Sequence, residues 1–221
     1  MKFNRFLSIY LIIGFCQLAT EIWFPVPSAL YFIAKPCIML SLMIYFWSHS
    51  SQFELITRVR FLFGLLFALY GDVMLMLQYQ EPELFMYGLG GFLLMQFQYI
   101  QHFKVKIHLP KFLTSLPFLA FAAFMLWLIV PRVASGLQIP IVVYLLVITL
   151  MGIFAYHRKN FVNRQSFLLV FIGALCFMFS DACIAINKFV MPSPIIQFMI
   201  MPTYIIAQYL IVEGVIREKA N

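Results

Sequence analysis

The chain has 221 residues, of which 64% are apolar and only 10% are charged, and its mean hydropathy is +0.96. Soluble domains carry roughly 25% charged residues, so this composition excludes a soluble globular protein. The formal net charge of +7 does not require a nucleic-acid partner, because membrane proteins concentrate Lys and Arg in their cytoplasmic loops.

Apolar runs of about 20 residues, the length needed to cross about 30 Å of hydrocarbon, recur along the whole chain. They predict eight transmembrane helices, at 6–24, 28–48, 59–79, 83–103, 111–130, 137–157, 165–187 and 194–214. The strands of a membrane barrel would alternate apolar and polar positions, and the runs show no such alternation. The predicted fold class is an all-α integral membrane protein, with one transmembrane domain over residues 1–221.

Lys and Arg are concentrated in alternate connections, which predicts the orientation of the chain. With the N-terminus inside, the outer loops hold only Arg132 and Lys188. The cytoplasmic segments hold Lys2, Arg5, Arg58, Arg60, Lys104, Lys106, Lys111, Arg158, Lys159, Arg164, Arg217 and Lys219. Both termini are therefore predicted to be cytoplasmic, and the first apolar run, which lacks a cleavage site, to be an uncleaved helix. The short loops favour a bacterial cytoplasmic membrane.

Neither cysteine nor histidine spacing indicates a metal site. All four cysteines lie within predicted spans without a CxxC pair, and buried free Cys usually acts as a small hydrophobe. The histidines lie at or beyond the cytoplasmic helix ends and are not spaced to share a metal with a carboxylate. These residues are Cys16, Cys37, Cys176, Cys183, His49, His102, His108 and His157. We expect no metal and no cofactor.

Two short motifs indicate an internal repeat. "ALYGD" (68–72) and "FMFSD" (177–181) each place an aromatic and then a small residue before an aspartate, and the two aspartates are 109 residues apart. Each motif lies late in an outward-running span and precedes a Pro-containing loop. The pattern predicts two parallel four-helix repeats, 1–108 and 109–221, related by an axis along the membrane normal. Chance matching of short apolar motifs is the alternative.

Three ionisable side chains, Lys35, Asp72 and Asp181, lie well inside predicted spans. A charge at the centre of a membrane helix costs roughly 2.5–3.5 kcal/mol, so such residues usually face a partner or a cavity. At 1.5 Å of rise per residue, all three lie on the order of 10 Å below the outer surface. Two acids and one base at one depth are therefore predicted to meet. A structural ion pair between Lys35 and one aspartate is the alternative, but it leaves the second aspartate unexplained.

Further polar side chains lie within a few turns of this depth, on helix faces defined by spacings of three and four residues. These candidate substrate-positioning residues are Tyr31, Gln96, Tyr99, Lys188, Tyr204 and Gln208. Ordinary interhelical hydrogen bonds are the alternative for the tyrosines and glutamines. A lysine that reaches the interface with its charged end is the alternative for Lys188.

The motifs together resemble those of the YhhN-like lysoplasmalogenases, a family of eight-helix alkenyl ether hydrolases, over essentially the whole chain. The matching positions are Lys35-Pro36, Gly71-Asp72, the face of Gly88, Phe92 and Tyr99, Ser180-Asp181 with Asn187, Lys188 and Phe189, and finally Tyr204, Ala207, Gln208, Leu210 and Ile211. Each motif alone is unspecific, so the resemblance depends on all five in order. Many members carry His where this chain has Gln96, whose amide cannot carry protons near neutral pH.

The resemblance implies hydrolysis of the vinyl ether bond of a lysoplasmalogen, with a fatty aldehyde and glycerophosphocholine or glycerophosphoethanolamine as products. Protonation of the β-carbon of an enol ether gives an oxocarbenium ion, water adds, and the hemiacetal collapses. The reaction needs a neutral acid beside an anion, as carboxylate pairs provide in glycosidases. The resemblance therefore implies that Asp72 and Asp181 are the catalytic acid and base, in an order that the residues leave open.

The resemblance also implies roles for the neighbouring residues. Lys35 would hold the ionised aspartate or meet a glycerol or phosphate oxygen. Tyr204 and Gln208 would position water or a glycerol hydroxyl, and Lys188 would meet the phosphate. Tyr31, Gln96, Tyr99 and Asn187 complete the substrate-binding set. The expected partners are a lysophospholipid substrate, water and membrane lipid, without nucleic acid or an obligate protein partner.

The residues leave three other functions open. An ion-coupled transporter of a small solute or lipid would use Lys35, Asp72 and Asp181 as an intramembrane polar pathway. An intramembrane aspartyl protease also pairs two aspartates, although "YGD" lacks the further glycine usual in that class. In a non-enzymatic lipid-binding or scaffold protein, the same residues would form a structural network.

Overall fold

The computed structural model describes residues 5–23, 28–103 and 113–219. Within these ranges the chain forms eight α-helices and no β-strand. The helices are α1 (Arg5–Trp23), α2 (Ala29–His49), α3 (Leu55–Leu77), α4 (Leu84–His102), α5 (Leu116–Ile129), α6 (Ser135–His157), α7 (Arg164–Phe189) and α8 (Pro194–Ile216). Short 3-10 turns cover Leu113–Ser115, Val130–Arg132 and Arg158–Asn160.

Each predicted span coincides with one helix, which confirms the all-α class. The boundaries differ most at α3 and α5. α3 begins at Leu55, before the predicted start at 59, because Thr57, Arg58 and Arg60 lower the hydropathy of its first two turns. α5 begins only at Leu116, after a 3-10 turn, because Pro117 fits the first turn of a helix and not its interior.

Seven of the described helices are long and apolar enough to cross a membrane, when α5 is counted together with the 3-10 turns on either side of it. α4 has 19 residues, but Gln96, Gln98 and Gln101 make it more polar than the others. The chain is a multi-pass membrane protein. Its orientation remains a prediction, and Lys2, Lys104, Lys106 and Lys111, on which the prediction partly rests, lie outside the described residues.

The chain divides into two compact units, residues 1–98 and 99–221. In the first unit, α1, α2 and α3 run alternately up and down. Phe6 near the start of α1 stacks on Tyr45 near the end of α2, with ring centroids 3.8 Å apart. Arg58 at the start of α3 donates to the carbonyl oxygen of Trp47 at the end of α2, at 2.6 Å. The fully buried core includes Ile38, Met39, Leu42, Phe46, Phe61 and Leu65.

Glycines allow α3 and α4 to approach closely beside Asp72. A Cβ added at Gly91 would lie 2.9 Å from the Gly71 nitrogen and 3.0 Å from its Cα, and one added at Gly88 would lie 2.7 Å from Leu75. Small residues commonly serve this purpose in membrane helices, where van der Waals packing drives association. The crossing fixes the part of α3 that carries Asp72.

In the second unit, α7 and α8 run antiparallel and share polar contacts at both ends. The Ser166 hydroxyl donates to the Gly214 carbonyl at 2.6 Å, and the Ser180 hydroxyl donates to the Ile200 carbonyl at 3.0 Å. Between them, a Cβ at Gly173 would lie 2.9 Å from the Ala207 carbonyl oxygen. This close crossing sets the register of α7 against α8.

A charged cluster at the end of the second unit where α7 begins and α8 finishes holds the residues that follow α8. Glu218 Oε2 lies 2.8 Å from Arg158 Nη2 and 3.0 Å from His102 Nε2, and the Arg158 guanidinium lies 5.0 Å from the centre of the Phe103 ring. Burial alone would raise the pKa of the Glu218 carboxyl. The hydrogen bond from His102 and the charge of Arg158 more than offset burial, so that this pKa lies below its ordinary value.

Candidate functional site

An ion pair lies in the interior of the first unit. Lys35 Nζ on α2 is 3.7 Å from Asp72 Oδ1 on α3, and the two residues are 6% and 1% exposed. The start of α2 is fixed by Ser28, whose hydroxyl accepts a hydrogen bond from the Tyr31 N–H at 3.3 Å. The predicted meeting of Lys35 with an aspartate is confirmed for Asp72.

More polar groups surround this ion pair than the sequence predicts. Lys35 Nζ lies 5.9 Å from the centre of the Tyr31 ring, and the Tyr31 and Tyr79 rings meet edge to face with centroids 6.4 Å apart. Lys35 also interacts electrostatically with Glu21 and Tyr79. Glu21 is a further ionisable residue within a predicted span, and the sequence does not single it out because it lies near the end of that span.

Glu21 is itself held by a neighbour on α1. Gln17 is fully buried, and its Nε2 donates to Glu21 Oε1 at 3.1 Å. A glutamine and a glutamate one turn apart within an apolar run were the sequence signal for this pair. Glu21 and Gln17 extend the polar cluster from α2 and α3 to α1.

The predicted face of Gly88, Phe92 and Tyr99 on α4 is buried, as are Gln96 on the same helix and Phe103 directly after its end. Among the described residues, neither amide atom of Gln96 has a hydrogen-bond partner, although its side chain is fully buried. Buried polar groups are nearly always paired with protein or water. The Gln96 amide is therefore available to a water molecule or a substrate hydroxyl.

In the second unit, Asp181 on α7 is half-buried. Its Oδ2 accepts a hydrogen bond from the Tyr144 hydroxyl on α6. Tyr144 is buried and was not among the predicted site residues. An isolated tyrosine in an apolar span carries no sequence signal for a partner on another helix. The prediction that Asp181 joins Lys35 and Asp72 stays a prediction.

Two of the predicted positioning residues contact each other in the second unit. The Tyr99 hydroxyl donates to Gln208 Oε1 at 2.8 Å, and both side chains are fully buried. Tyr204, one turn before Gln208 on α8, is also buried, and its ring centroid lies 6.0 Å from that of Phe177. These residues form a polar strip inside the unit that can orient a hydroxyl or a water molecule.

Asn187 and Lys188 lie in the last turn of α7. Asn187 Nδ2 donates to Gln197 Oε1 at 2.8 Å, and its Oδ1 accepts from the Ser193 N–H at 2.7 Å. The Asn187 amide thus joins α7 to the start of α8, whereas Lys188 is exposed. Contact of either side chain with a substrate stays a prediction.

The chemistry available to these residues is proton transfer and hydrogen bonding. Asp72 and Asp181 are carboxyls held by different partners, an ammonium group and a phenol. Within the three described ranges, no three His, Cys, Asp or Glu side chains lie close enough together to hold a metal ion.

Comparisons with known proteins cover nearly the whole chain. Lysoplasmalogenase TMEM86A of Homo sapiens is 28% identical over 206 residues, covering 90% of this chain and 84% of that protein. Lysoplasmalogenase TMEM86A of Bos taurus is 27% identical over the same shares. No solved structure gives a significant match. The sequence profile of the YhhN family matches residues 30–215, and the chain therefore belongs to the YhhN family.

Proposed function

We propose that this chain is a lysoplasmalogenase, which hydrolyses the vinyl ether bond of a 1-alkenyl lysophospholipid to a fatty aldehyde and a glycerophosphodiester. The main support for this proposal is the sequence similarity, over 90% of the chain, to proteins named lysoplasmalogenase. This aligned length leaves little of the present chain without a counterpart in the relatives. Two carboxyls in apolar helices, the buried Asp72 and the half-buried Asp181, support the same reaction, because it needs a proton donor and a carboxylate.

The proposed reaction begins when one carboxyl donates its proton to the β-carbon of the enol ether, and the double-bond electrons form the new C–H bond. The resulting oxocarbenium ion is stabilised by a carboxylate. Water then attacks the cationic carbon while a carboxylate takes one of its protons. The hemiacetal loses its hydroxyl proton as the bond to the glycerol oxygen breaks and that oxygen is protonated. One water molecule is consumed overall.

Asp72 and Asp181 take the acid and base roles in this proposal. Support for Asp72 is its burial beside Lys35, which favours one defined position of the carboxyl group. Support for Asp181 is the Tyr144 hydroxyl, which orients the carboxyl group from a neighbouring helix. The Tyr99–Gln208 hydrogen bond and the buried Gln96 amide supply groups that can hold water or the glycerol hydroxyl.

The deciding experiment measures aldehyde release from purified protein that is given a 1-alkenyl lysophospholipid. A 1-acyl lysophospholipid with the same headgroup is the control substrate. We expect aldehyde from the alkenyl lipid and no fatty acid from the acyl lipid. A folded, lipid-reconstituted protein that forms no aldehyde with any headgroup would refute the proposal.

The same assay tests the two aspartates with Asp72→Asn and Asp181→Asn, which change charge and proton donation but hardly change shape. General acid–base groups typically contribute about 100- to 10,000-fold, so each variant should lose at least about 100-fold. Glu83→Gln is the matched control, because Glu83 is an exposed carboxylate in the connection between α3 and α4. Full turnover in either aspartate variant would remove that residue from the mechanism.

A further inference from the structure

The first unit has a strongly acidic end, at which α1 and α3 finish and α2 and α4 begin. Four described carboxylates lie at this end, those of Glu21, Asp72, Glu81 and Glu83, and Lys35 is the one described basic residue among them. The other basic residues described in this unit, Arg5, His49, Arg58 and Arg60, lie at the opposite ends of their helices. An end with this charge distribution attracts cations.

Glu21 is not needed as the counter-ion of Lys35. Asp72 already lies 3.7 Å from Lys35 Nζ and is almost fully buried. The single positive charge of Lys35 therefore has two acidic neighbours, Asp72 and Glu21. A partly buried carboxylate without its own cation is costly. A positively charged ligand group at Glu21 would balance this charge.

Gln17 provides a second, independent observation. Its Nε2 donates to Glu21, but its buried Oε1 has no hydrogen-bond partner among the described residues. A buried acceptor beside a carboxylate fits a ligand that brings both a positive charge and N–H donors. A primary ammonium group has both properties, whereas a quaternary ammonium group has no N–H.

Aromatic rings complete the arrangement. Glu21 interacts electrostatically with Tyr31 and Tyr79, whose rings meet edge to face, and Tyr79 is 49% exposed. Ring faces attract cations within about 6 Å. Lys35 interacts with the same three residues, so an acidic and a basic side chain lie beside each other, as the phosphate and ammonium groups do in a zwitterionic headgroup.

We propose that Glu21, Gln17 and Tyr79 form a subsite for the ammonium group of a lysophospholipid headgroup, with Lys35 beside it for the phosphate. The subsite prefers a primary ammonium, as in ethanolamine, to a quaternary one. The lysophospholipid nature of the ligand rests on the proposed function. Glu21 and Gln17 precede residues 30–215, which match the family profile, so that two of the residues in the subsite come from outside the matched region.

The test measures binding of 1-alkyl lysophospholipids, whose saturated ether cannot be hydrolysed by enol-ether protonation. Three probes share one chain and differ in headgroup: ethanolamine, choline and glycerol. We expect the full chain in detergent to bind the ethanolamine lipid most tightly. Glu21→Gln should weaken its binding about tenfold, the equivalent of one charged hydrogen bond, and change glycerol-lipid binding by less than about twofold.

Glu81→Gln is the matched control, because it removes an exposed carboxylate from the same end and should leave all three affinities unchanged. Equal losses for all three lipids in Glu21→Gln would overturn the proposal, since they would indicate a structural role. No loss for the ethanolamine lipid, or wild-type binding of choline at least as tight as that of ethanolamine, would also overturn it.

Two further variants decide the question if Glu21→Gln does not fold. Gln17→Leu should abolish the preference for ethanolamine over choline, and Tyr79→Leu, at a half-exposed position, should weaken both ammonium lipids relative to the glycerol lipid. Unchanged selectivity in both would overturn the proposal. Because the probes contain no vinyl ether, failure of the aldehyde assay and failure of this binding test are separate results.

Discussion

Lys35 on α2 and Asp72 on α3 form an ion pair with Nζ and Oδ1 3.7 Å apart, and both side chains are more than nine-tenths buried. Breaking a buried pair by removing one partner typically costs about 3–5 kcal/mol, because it leaves a charge uncompensated. Removing both partners costs much less. This difference separates a structural role of the pair from a catalytic one.

Asp72→Asn should therefore lower the unfolding temperature in detergent and reduce aldehyde release at least about 100-fold. The double variant Lys35→Met/Asp72→Asn should recover most of the stability, because neither position of the ion pair keeps a charge, but none of the activity. Thermal unfolding and aldehyde release of the same samples give both quantities. Recovery of activity in the double variant would show that Asp72 serves only to neutralise Lys35.

Tyr144→Phe tests the hydrogen bond that Tyr144 donates to Asp181. The substitution keeps the ring and removes only the hydroxyl, so we expect the protein to fold and kcat to fall about tenfold while KM changes little. Tyr156→Phe is a suitable control on the same helix, because the Tyr156 hydroxyl bonds Lys159 and not Asp181. A Tyr144→Phe enzyme with unchanged kcat would exclude a positioning role for Tyr144.

The helices and the common depth of Lys35 and Asp72 were predictable because both follow from one-dimensional properties. Apolar run length predicts a span, and counting residues from its end gives the depth of a side chain. Depth does not give rotation about the helix axis, which decides which neighbour a side chain faces. The Tyr144–Asp181 contact depends on that rotation for two helices at once, and no local pattern in either span indicates it.

Glu21 escaped prediction for a different reason. Near the end of a predicted span, an acidic residue is usually solvated or reaches the interface, so its position alone indicates no site. Only the packing of α1 against α2 shows that its charge interacts with Lys35 and that Gln17 is buried. The sequence likewise does not indicate which glycines meet where α3 crosses α4, and only the structure gives these contacts.

The charged cluster of Glu218, Arg158 and His102 makes the stability of the folded protein depend on pH. The pKa of Glu218 lies below its ordinary value of 4.5 in the folded protein, so its contribution is fully present above pH 4.5 and is lost as pH falls through the folded-state value. Glu218→Gln should destabilise the protein by about 1–2 kcal/mol at neutral pH. The difference from wild type in unfolding temperature should shrink as the pH is lowered below 4.5.

Glu83→Gln serves as the comparison for this pH series, because Glu83 is exposed and its substitution should have little effect at any pH. A wild-type advantage over Glu218→Gln that stays constant down to the lowest pH would contradict the assignment of Glu218 as the titrating group.

Adjacent glycines on α4 offer a matched test of the α3–α4 crossing. Gly91→Ala would place a Cβ 2.9 Å from the backbone nitrogen of Gly71, whereas Gly90→Ala would meet nothing within 4 Å. Backbone atoms cannot move aside as a flexible side chain can, so Gly91→Ala should cost about 1–3 kcal/mol. It should also lower activity, because Gly71 precedes Asp72. Gly90→Ala should be neutral or stabilising by up to about 1 kcal/mol, and equal unfolding temperatures for the two variants would contradict the close crossing.

Gln96 combines complete burial with an amide that has no partner among the described residues, and an unsatisfied buried polar group costs about 1–3 kcal/mol. If stability were the only consideration, leucine would be the better residue at this position. Gln96→Leu should therefore leave the unfolding temperature unchanged or raise it, while kcat/KM falls at least about tenfold because water or the glycerol hydroxyl loses its partner. Gln98→Leu, at a half-buried neighbouring position, should leave activity unchanged. A stabilised Gln96→Leu enzyme with full activity would remove Gln96 from the site, whereas higher stability with lower activity is the combination expected when a polar side chain is kept for function.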